Sequence, residues 1–590
     1  MARASALPGK LANSARCMGI TQQKDFRGAQ LIKLLCVPQA NGEFYSTPEL
    51  LDELYDYCDQ DVRTERSMAN ELRDLTEREW SQYFLSEKIN DRGVKVDLEF
   101  ARGATKYVEE EKEFFGERLT ELTEGKVTTP RQFGRIKEWI WPRLSLVGQK
   151  MCEHYKNDEK KVSFDKAIRN NLLDAAGTTT IHNEPLMTEE AREFTDIIDL
   201  AGNSSVSKYQ TMLNREQNGR IRGLYICFGA GQTKRFSAMA LQPHNFKRDG
   251  IVKYDDARAR LINNENIGSI VYSTTEKKTV TGVIPVLAHM LRPSIIPEKG
   301  HQAVWGDWSA IEARALPWLA NDKMANAKLD LFRSGVDVYI LNAESMGLGD
   351  RQTGKVAELS LGYGGGIGAF HAMARGYGVK VDDRTANHVK NVWRKDNPWA
   401  MPFWYSLANA AMNAIKIPYE EFKAGRLSYM FTPEEINGQG ALWCKLPTGG
   451  VLCYPGARIE DVETPWGELR KGITAIKGNW LPKKDETDWP RVALWYGLLA
   501  ENATQAICAE ILQDGLALCD AADLPVDMHT HDEIKFDSKH PKRDARRLLR
   551  IMENPGSVYE GLPLTAEVEY GPRYKIKTAT LKNSGWKVAA

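Results

Sequence analysis

The sequence lacks the features that mark secreted, membrane-spanning or zinc-stabilised chains. Its 590 residues contain no uninterrupted apolar run of about 18 residues, the length that a membrane-spanning helix needs. The N-terminus has no charged region followed by an apolar stretch and a small-residue cleavage site, so we expect no secretion signal. The nine cysteines include no C-x-x-C pair, which argues against a zinc site and for reduced thiols. These absences together predict a cytoplasmic protein.

The chain also lacks net charge, because 79 Lys and Arg balance 79 Asp and Glu. As a whole it is therefore no basic nucleic-acid binder. The distribution is uneven, since residues 206–253 contain nine Lys or Arg against Glu216 and Asp249, a local net charge of +7. Such an excess could neutralise phosphates or form a solvated basic surface, and charge alone leaves both open.

A chain of this length divides into several domains, and its periodicity predicts their secondary structure. Residues 101–124 form one apolar stripe at helical spacing, residues 127–215 are largely helical and charged, and residues 320–490 have the pattern of an inserted helical subdomain. The stretch "QAVWGD" predicts a buried strand, and Ser309 to Glu312 has the capping-box pattern that opens a helix. "PVDMHTHDEIKFDS" alternates like two short strands joined by a tight turn at residues 531–533.

The stretch "GDRQTGKV" nearly spells the phosphate-binding loop G-x-x-x-x-G-K-[ST], but Val356 stands where a magnesium-binding hydroxyl is required. On a helix, four side chains that recur every four residues would share one face: Arg351, Lys355, Leu359 and Tyr363. A "GGGIG" break follows and would end the helix. An Arg and a Lys one turn apart suit a triphosphate lying along the helix, and an ordinary exposed basic pair is the alternative.

Two aspartates lie at the ends of predicted strands. Asp307 follows "QAVWG", and Asp532 lies in the turn between the last two predicted strands. On adjoining strands, two carboxylates could hold two magnesium ions about 4 Å apart, a pair that serves phosphoryl transfer. Taken singly, Asp307 is better explained as a strand-end residue and Asp532 as a turn residue. Their combination with the Arg/Lys helix favours the metal site.

Three segments occur in the order and with the residues of family A DNA polymerases, the group of bacterial DNA polymerase I and many phage replicases. "DWSAIEAR" resembles motif A, "RQTGKVAELSLGYG" resembles motif B, and "HDE" at 531–533 resembles motif C. Upstream, "QTKRFSAMALQPHN" resembles the segment that contacts primer and template. Downstream, "ENATQA" resembles the helix whose Gln approaches the template. The resemblance runs from about residue 85 to the C-terminus and is to phage-type members.

The resemblance implies a role for each matching position. The metal ligands would be Asp307, Asp532 and the main-chain carbonyl of Trp308, with two Mg²⁺ ions as cofactor and Mn²⁺ as an alternative. The catalytic residues would be Asp307, Asp532 and Lys355, of which Lys355 protonates departing pyrophosphate. The incoming nucleotide would contact Arg351, Lys355, Leu359, Tyr363, Glu312 and His531, and Glu312 would exclude a 2′-hydroxyl. The duplex would contact Arg235, Gln242, Asn245, Arg314, Gln505 and Glu533.

The fold implied is an α+β multidomain right hand, with an antiparallel palm sheet and helical fingers and thumb. Its expected parts are an RNase H-like exonuclease remnant at 1–80, thumb and linking helices at 81–215, palm at 216–319 and 491–590, and fingers at 320–490. The activity implied is template-directed DNA synthesis by two-metal phosphoryl transfer, for phage genome replication in the host cytoplasm. Expected partners are primer–template DNA and deoxynucleoside triphosphates but no membrane. A separate exonuclease or processivity subunit is left open.

Residues 1–80 resemble only part of a proofreading exonuclease. "YCDQDV", with Tyr57 and Asp61, resembles its third motif, Y-x-x-x-D. That two-metal chemistry also needs a D-x-E pair upstream, and the first 25 residues contain Asp25 but no D-x-E. We therefore expect no proofreading by this polypeptide alone, and we expect Tyr57 and Asp61 to lie on a helix that packs against the polymerase.

Two residues depart from the family A motifs, and two alternative functions remain open. Lys234 stands where the family has Gly, and Leu359 replaces the Phe of cellular members, as in viral ones. A single-subunit RNA polymerase shares the Arg/Lys helix and the Asp pair, but Glu312 should block a ribose, and Glu533 stands where those enzymes tend to have Ser. The other rival is a non-catalytic nucleic-acid-binding relative, against which the retained carboxylates argue.

Overall fold

The computed structural model describes residues 1–25, 27–45, 47–156, 159–175, 185–464, 467–483, 486–582 and 585–588. Within these ranges the chain is a mixture of helices and antiparallel sheets, and the largest sheet has six strands. None of the helices in the same ranges is both long enough and apolar enough to cross a membrane.

The N-terminal part of the chain contains the helices α1 (Leu11–Met18), α2 (Gly28–Cys36), α3 (Pro48–Asn70) and α4 (Glu77–Arg92). The Thr47 side chain caps α3, and Pro48 follows at a position where its missing N–H costs nothing. Tyr57 and Asp61 both lie on α3, where the Lys24 ammonium donates to the Tyr57 hydroxyl and pairs with Asp61. Both side chains therefore contact the N-terminal stretch that precedes α2, and their kinship to an exonuclease stays a prediction.

Residues 94–221 include most of the region 81–215 that is expected to form the thumb and linking helices. Its elements are β1 (Val94–Lys95), α5 (Leu98–Leu122), α6 (Phe133–Ile140), α7 (Leu146–Cys152), β2 (Glu153–Lys156), β3 (Glu159–Val162), α8 (Lys166–Ala175), α9 (Glu189–Ala201), α10 (Ser207–Arg215), β4 (Glu216–Gln217) and β5 (Arg220–Ile221). The long helix predicted at 101–124 is α5, in which Phe115 and Leu119 are buried but Phe114 is exposed. The apolar stripe is thus narrower than its spacing suggested.

The next segment leads to the centre of the largest sheet. It contains β6 (Tyr225–Ile226), β7 (Ser237–Ala238), α11 (Tyr254–Ile262), β8 (Tyr272–Ser273), β9 (Thr279–Val280), α12 (Val283–His289), β10 (Gln302–Trp308) and α13 (Ile311–Ala320). The predicted buried strand is β10. The predicted capping box is wrong. The residue that precedes α13 is Ala310, whose φ is 52°, and no side chain caps the helix. The Glu312 carboxylate is instead held by Arg235 and Tyr363.

The segment 323–493 begins as helices and ends as sheets. The helices are α14 (Lys323–Arg333), α15 (Val338–Ser345), α16 (Arg351–Leu361), α17 (Ile367–Gly376), α18 (Asp383–Asp396) and α19 (Ala400–Lys416). They are followed by β11 (Phe422–Ala424), β12 (Leu427–Thr432), α20 (Glu435–Gly438), β13 (Ala441–Lys445), β14 (Val451–Pro455), β15 (Arg458–Glu463), β16 (Leu469–Ile476) and β17 (Arg491–Ala493). The prediction of a helical subdomain therefore holds as far as Lys416, and most of the remainder is strand. The strands were not predicted because short buried apolar runs look alike in strands and helices.

The chain then returns to the largest sheet through α21 (Tyr496–Ala521), β18 (Val526–Thr530), β19 (Glu533–Ser538), α22 (Pro541–Glu553), β20 (Ala566–Gly571), β21 (Ala579–Lys582) and β22 (Gly585–Val588). The strand order is β18-β19-β10-β20-β21-β22, so β10 lies between two neighbours. A Cβ at Gly306 would lie 2.5 Å from the sulfur of Met552, so glycine there lets α22 pack closely on β10. The predicted pair of strands joined at the HDE sequence is β18 and β19, with the turn at His531 and Asp532.

Two apolar cores hold these parts together. The larger one runs through the palm sheet and the helices around it and includes Trp305 and Trp308. The smaller one joins the N-terminal residues to the sheets of the 441–493 region, with Met18 and Met68 packed in the same cluster as Trp443. The N-terminal segment is therefore fixed against the region 436–489.

Candidate active site

The two predicted metal-binding aspartates lie side by side at one end of the central strands. Asp307 on β10 is the register partner of Glu533 on β19, so Asp532 follows immediately beyond the paired residues. The main-chain N–H of Trp308 donates a 3.0 Å hydrogen bond to the Asp532 carbonyl oxygen. Both aspartates line a cleft of about 1020 Å³. Strand pairing thus brings together residues that are 225 positions apart in the sequence.

The electrostatics of this end of the sheet are unfavourable for carboxylates alone. Burial by the cleft walls, followed by the Asp532 and Glu533 charges, raises the pKa of Asp307 well above its ordinary value. Burial and Glu533 likewise raise the pKa of Asp532 to about 6. Asp307 nevertheless remains exposed to the cleft. An arrangement of this kind favours a bound cation, which would offset the repulsion between the acidic groups.

The available ligands fit magnesium better than they fit a metal whose ligands all come from protein side chains. Asp307 and Asp532 supply two carboxylates, and one carboxylate oxygen of the neighbouring buried Glu533 has no hydrogen-bond partner. The described residues include no group of three or more His, Cys, Asp or Glu side chains arranged to hold a metal. Magnesium is commonly held by one or two carboxylates, with water and substrate phosphates completing its shell. Trp308 lies beside both aspartates, where a main-chain oxygen could contribute.

The helix that carries the basic residues of motif B faces the same cleft. Asp350 caps α16 by accepting from the main-chain N–H groups of Gln352 and Thr353, which fixes the first turn. The Arg351 guanidinium pairs with Asp337 at 2.8 Å. Burial, followed by the charges of Arg248 and Arg351, lowers the pKa of the half-buried Lys355 ammonium. Three residues of the predicted face line the cleft: Arg351, Lys355 and Leu359.

The likeness of "GDRQTGKV" to a phosphate loop has a packing explanation. A Cβ at Gly354 would lie 1.9 Å from the carbonyl oxygen of Tyr339, so glycine permits α15 to lie against α16. Val356 is fully buried in the core. Gly354 and Val356 are thus helix-packing residues, and Lys355 reaches the cleft from the side of a helix.

Glu312 and Tyr363 connect the first palm helix to the end of α16. The Tyr363 hydroxyl donates to one carboxylate oxygen of Glu312 at 2.8 Å. Arg235 donates to the other oxygen at 2.6 Å. Burial and the Glu312 charge raise the pKa of Tyr363, so it stays a hydrogen-bond donor. Three residues predicted from separate motifs therefore form one linked group.

Of the other predicted contact residues, four are exposed or partly exposed: Gln242, Asn245, Gln505 and His531. Asn245 and Gln242 are exposed, and Gln242 accepts a 3.2 Å hydrogen bond from Lys208. Gln505 on α21 is half-buried and donates to Glu501 at 3.0 Å. His531 lines the cleft, and its ring centre lies 4.5 Å from that of His244. Burial, then the charge of Arg235, lowers the pKa of the His531 imidazole.

Arg314 and Glu533 are engaged inside the protein. The Arg314 guanidinium is buried and donates to the carbonyl oxygens of Ser309 and Pro563 and to the Thr565 hydroxyl. Glu533 is buried and pairs with Lys575 at 2.5 Å. These contacts hold both side chains within the protein beside the cleft, and their contact with DNA stays a prediction.

Sequence reasoning missed several basic residues that surround the carboxylates. Arg248, Arg292 and Lys575 all line the cleft. Arg248 belonged to the basic stretch 206–253 but carried no motif, and Lys575 had no signal at all. Within that stretch, Lys208 and Lys234 are buried, whereas four residues are exposed: Arg215, Arg222, Arg248 and Lys253. The local excess of charge is therefore partly internal and partly available to phosphates.

Comparisons with known proteins show which proteins the chain is similar to. No family model matches it. A DNA polymerase of Bacillus phage SP02 is 28% identical over 587 residues, which cover 95% of this chain and 82% of the relative. In structure, the chain is similar to the polymerase domain of Pol1 from M. smegmatis in complex with DNA primer-template and dNTP. That match has a TM-score of 0.52 and 14% identity, and it covers 96% of this chain and 81% of that one.

The similarity to the phage polymerase includes most of the chain, and the match to Pol1 supports the right-hand fold that the motifs implied. Motifs A, B and C occur in the expected order and meet at one cleft. By these similarities the chain is a DNA polymerase, and its motifs resemble those of family A.

Proposed function

We propose that this polymerase adds deoxynucleotides to a primer 3′ end at the cleft between Asp307, Asp532 and α16, in phage genome replication. One observation carries the proposal: two aspartates with raised pKa values and the basic residues Arg351 and Lys355 line the same cleft of about 1020 Å³. Phosphoryl transfer needs this combination, because its transition state carries charge on oxygens that must be positioned and stabilised.

The chain's own residues would divide the task as follows. Asp307 and Asp532 would hold two magnesium ions, which when bound stabilise the attacking and leaving oxygens. Arg351 would grip the triphosphate with its planar guanidinium. Lys355 would hold the departing pyrophosphate and donate a proton to it, and its lowered pKa makes it the stronger acid.

Sugar selection is assigned to the linked group at the palm–fingers junction. Arg235 and Tyr363 hold the Glu312 carboxylate in one orientation, which supports its assignment as the group that would block a ribose 2′-hydroxyl. This assignment favours DNA synthesis over the rival RNA polymerase activity. The similarity of the chain to a phage polymerase supports a role in replication within an infected cell, with primer–template DNA and deoxynucleoside triphosphates as partners.

One primer-extension experiment tests these assignments together. A labelled primer–template is extended with deoxy- or ribonucleoside triphosphates in Mg²⁺ or Mn²⁺, and a second substrate carries a mismatched 3′ end. We expect extension with deoxynucleotides only and no removal of the mismatch. Extension by ribonucleotides at an equal rate would favour the RNA polymerase, and failure with every nucleotide and metal would favour a non-catalytic DNA-binding protein.

A further inference from the structure

We propose that a second, basic groove beside the polymerase cleft binds the single-stranded template ahead of the primer end. This groove has a volume of about 480 Å³ and lies between the N-terminal segment, the loops 228–233 and 477–481, and α21. Six of its residues carry the argument, and we call them the basic groove: Arg3, Lys10, Gln232, Thr233, Lys477 and Asn502. The inference rests on the proposed function, since it assumes a primer–template in the main cleft.

The charge of the groove has one sign. Arg3, Lys10 and Lys477 line it, and no Asp or Glu is among its lining residues. Arg3 and Lys10 are both exposed. Within the described part of the chain none of these three cations forms a salt bridge with a carboxylate. The main cleft, by contrast, contains Asp307 and Asp532. A concave surface with cations and no carboxylate is suited to a phosphate backbone.

The groove continues the expected DNA interface. Thr233 precedes Arg235 by two residues, and Asn502 lies one turn before Gln505 on α21. The start of α21 touches the fingers, since a Cβ at Gly497 would lie 2.1 Å from the Tyr363 carbonyl oxygen. The groove therefore opens beside the part of α21 that joins the expected nucleotide site to the expected template contact.

An exposed aromatic side chain favours a single strand as the occupant. Trp480 follows the groove residue Asn479 and is 52% exposed. The Lys477 ammonium lies 3.5 Å from the centre of the Trp480 ring. Proteins that bind single-stranded DNA combine a basic groove with aromatic rings on which bases stack. The volume, less than half that of the main cleft, also suits one strand better than two.

The walls of the groove are preformed. Leu7 and Met18 are buried in the core that includes Trp443, so the N-terminal wall is anchored on both sides of Lys10. A Cβ at Gly478 would lie 2.4 Å from the Ala6 carbonyl oxygen, so glycine lets the 477–481 loop lie directly against that wall. A rigid site loses little conformational entropy when a strand binds.

The test compares two primer–templates with the same duplex and a dideoxy-terminated primer. Their template overhangs have two or twelve nucleotides, and binding is measured by fluorescence anisotropy over a range of salt concentrations. We expect the wild-type protein to bind the long overhang about 10-fold tighter. The double variant Lys10→Ala/Lys477→Ala should lose most of that gain. Its salt slope on the long overhang should fall by about 1.4, at about 0.7 for each phosphate that is no longer neutralised.

Two further variants separate the groove from general charge effects. Trp480→Ala should reduce the overhang gain at least about 5-fold, because a base can no longer stack on the indole ring. Lys539→Ala/Lys542→Ala removes two exposed cations that line neither the groove nor the main cleft, and should keep the full gain. An overhang gain that is equal in wild type and in Lys10→Ala/Lys477→Ala would overturn the proposal.

A second readout keeps this proposal distinct from the proposed function. On the two-nucleotide overhang, with a primer that ends in a 3′-hydroxyl in place of the dideoxy-terminated one, Lys10→Ala/Lys477→Ala should add a single deoxynucleotide at the wild-type rate. A wild-type protein that fails on this substrate contradicts the polymerase assignment and, with it, the groove. If Lys10→Ala/Lys477→Ala were impaired as much on the short overhang as on the long one, the result would contradict template binding in the groove but not the polymerase assignment.

Discussion

The Tyr363 hydroxyl donates a 2.8 Å hydrogen bond to the Glu312 carboxylate and so joins the segment that follows α16 to α13. Because Arg235 holds the other carboxylate oxygen, Glu312 has little freedom to turn aside. A fixed carboxylate would obstruct a ribose 2′-hydroxyl both sterically and electrostatically. Removing the Glu312 carboxylate should therefore reduce discrimination against ribonucleotides more than removing one of its hydrogen-bond partners.

We expect Glu312→Ala to reduce discrimination against ribonucleotides at least about 10-fold, because the obstacle to a 2′-hydroxyl is gone. Tyr363→Phe removes one hydrogen bond of about 1 kcal/mol but keeps the ring, and should reduce discrimination by about 5-fold. The measurement is single-nucleotide incorporation of dCTP and CTP on one primer–template. A Glu312→Ala protein with unchanged discrimination would show that the sugar is selected elsewhere.

Lys355→Arg separates charge from proton transfer. Arginine keeps the positive charge but does not release its proton, whereas burial and the neighbouring cations Arg248 and Arg351 lower the pKa of Lys355. We expect the maximal rate to fall at least about 10-fold with little change in nucleotide KM. Rapid-quench kinetics measure both parameters.

The control for this variant is Lys380→Arg, which alters an exposed lysine that pairs with Asp174. It should leave both the rate and KM unchanged. If Lys355→Arg kept the full rate and only raised KM, Lys355 would bind the triphosphate without donating a proton.

The raised pKa values predict a pH-dependent stability in the absence of divalent metal. Burial and Glu533 raise the pKa of Asp532 from 3.8 to about 6 in the folded protein, and burial with the neighbouring acidic charges also raises the pKa of Asp307. Between these pH values the folded state binds more protons than the unfolded state, so these groups lower stability as pH rises from about 4 through 6. The melting temperature in EDTA should therefore fall more over this range in wild type than in Asp532→Asn.

Magnesium should reverse this effect at high pH, because it binds the ionised carboxylates. Thermal melts with and without Mg²⁺ should differ more at pH 7.5 than at pH 5. The account would be contradicted if Asp532→Asn had the same pH dependence in EDTA as the wild type.

Lys234, which stands where the family has glycine, is a buried charge shared by two carboxylates. Its ammonium lies 3.3 Å from Glu79 and 3.1 Å from Glu510, and all three side chains are almost fully buried. Lys234→Met leaves this acidic pair short of a cation and should destabilise the fold by roughly 3–5 kcal/mol. Denaturant unfolding followed by tryptophan fluorescence measures the change in the free energy of unfolding.

The matched control is Lys88→Met, which breaks an exposed pair with Asp520. Its effect should stay below about 1 kcal/mol. Equal effects of the two substitutions would mean that the Lys234 pairs contribute no more than a surface salt bridge.

The motif residues could be predicted from the sequence because their chemistry requires certain residue types at fixed spacing. Asp307, Asp532 and the α16 face were recognisable in this way. Arg248, Arg292 and Lys575 were not, because only folding brings them to the cleft.

Two local predictions failed for physical reasons. The capping box at Ser309 failed because a tertiary contact claims Glu312. The strands of residues 422–493 were missed because their apolar runs are too short to distinguish from buried helix.

The most direct test of the central claim is primer extension by Asp307→Asn and Asp532→Asn, with DNA binding measured in parallel. Each substitution keeps the side-chain shape but removes a carboxylate charge, and Asp461→Asn, at an exposed aspartate paired with Lys471, is the control. We predict that both variants bind primer–template normally but extend it at least about 1,000-fold more slowly, the rate equivalent of roughly 4 kcal/mol. Extension by either variant at near the wild-type rate would contradict the assignment of this cleft as the polymerase active site.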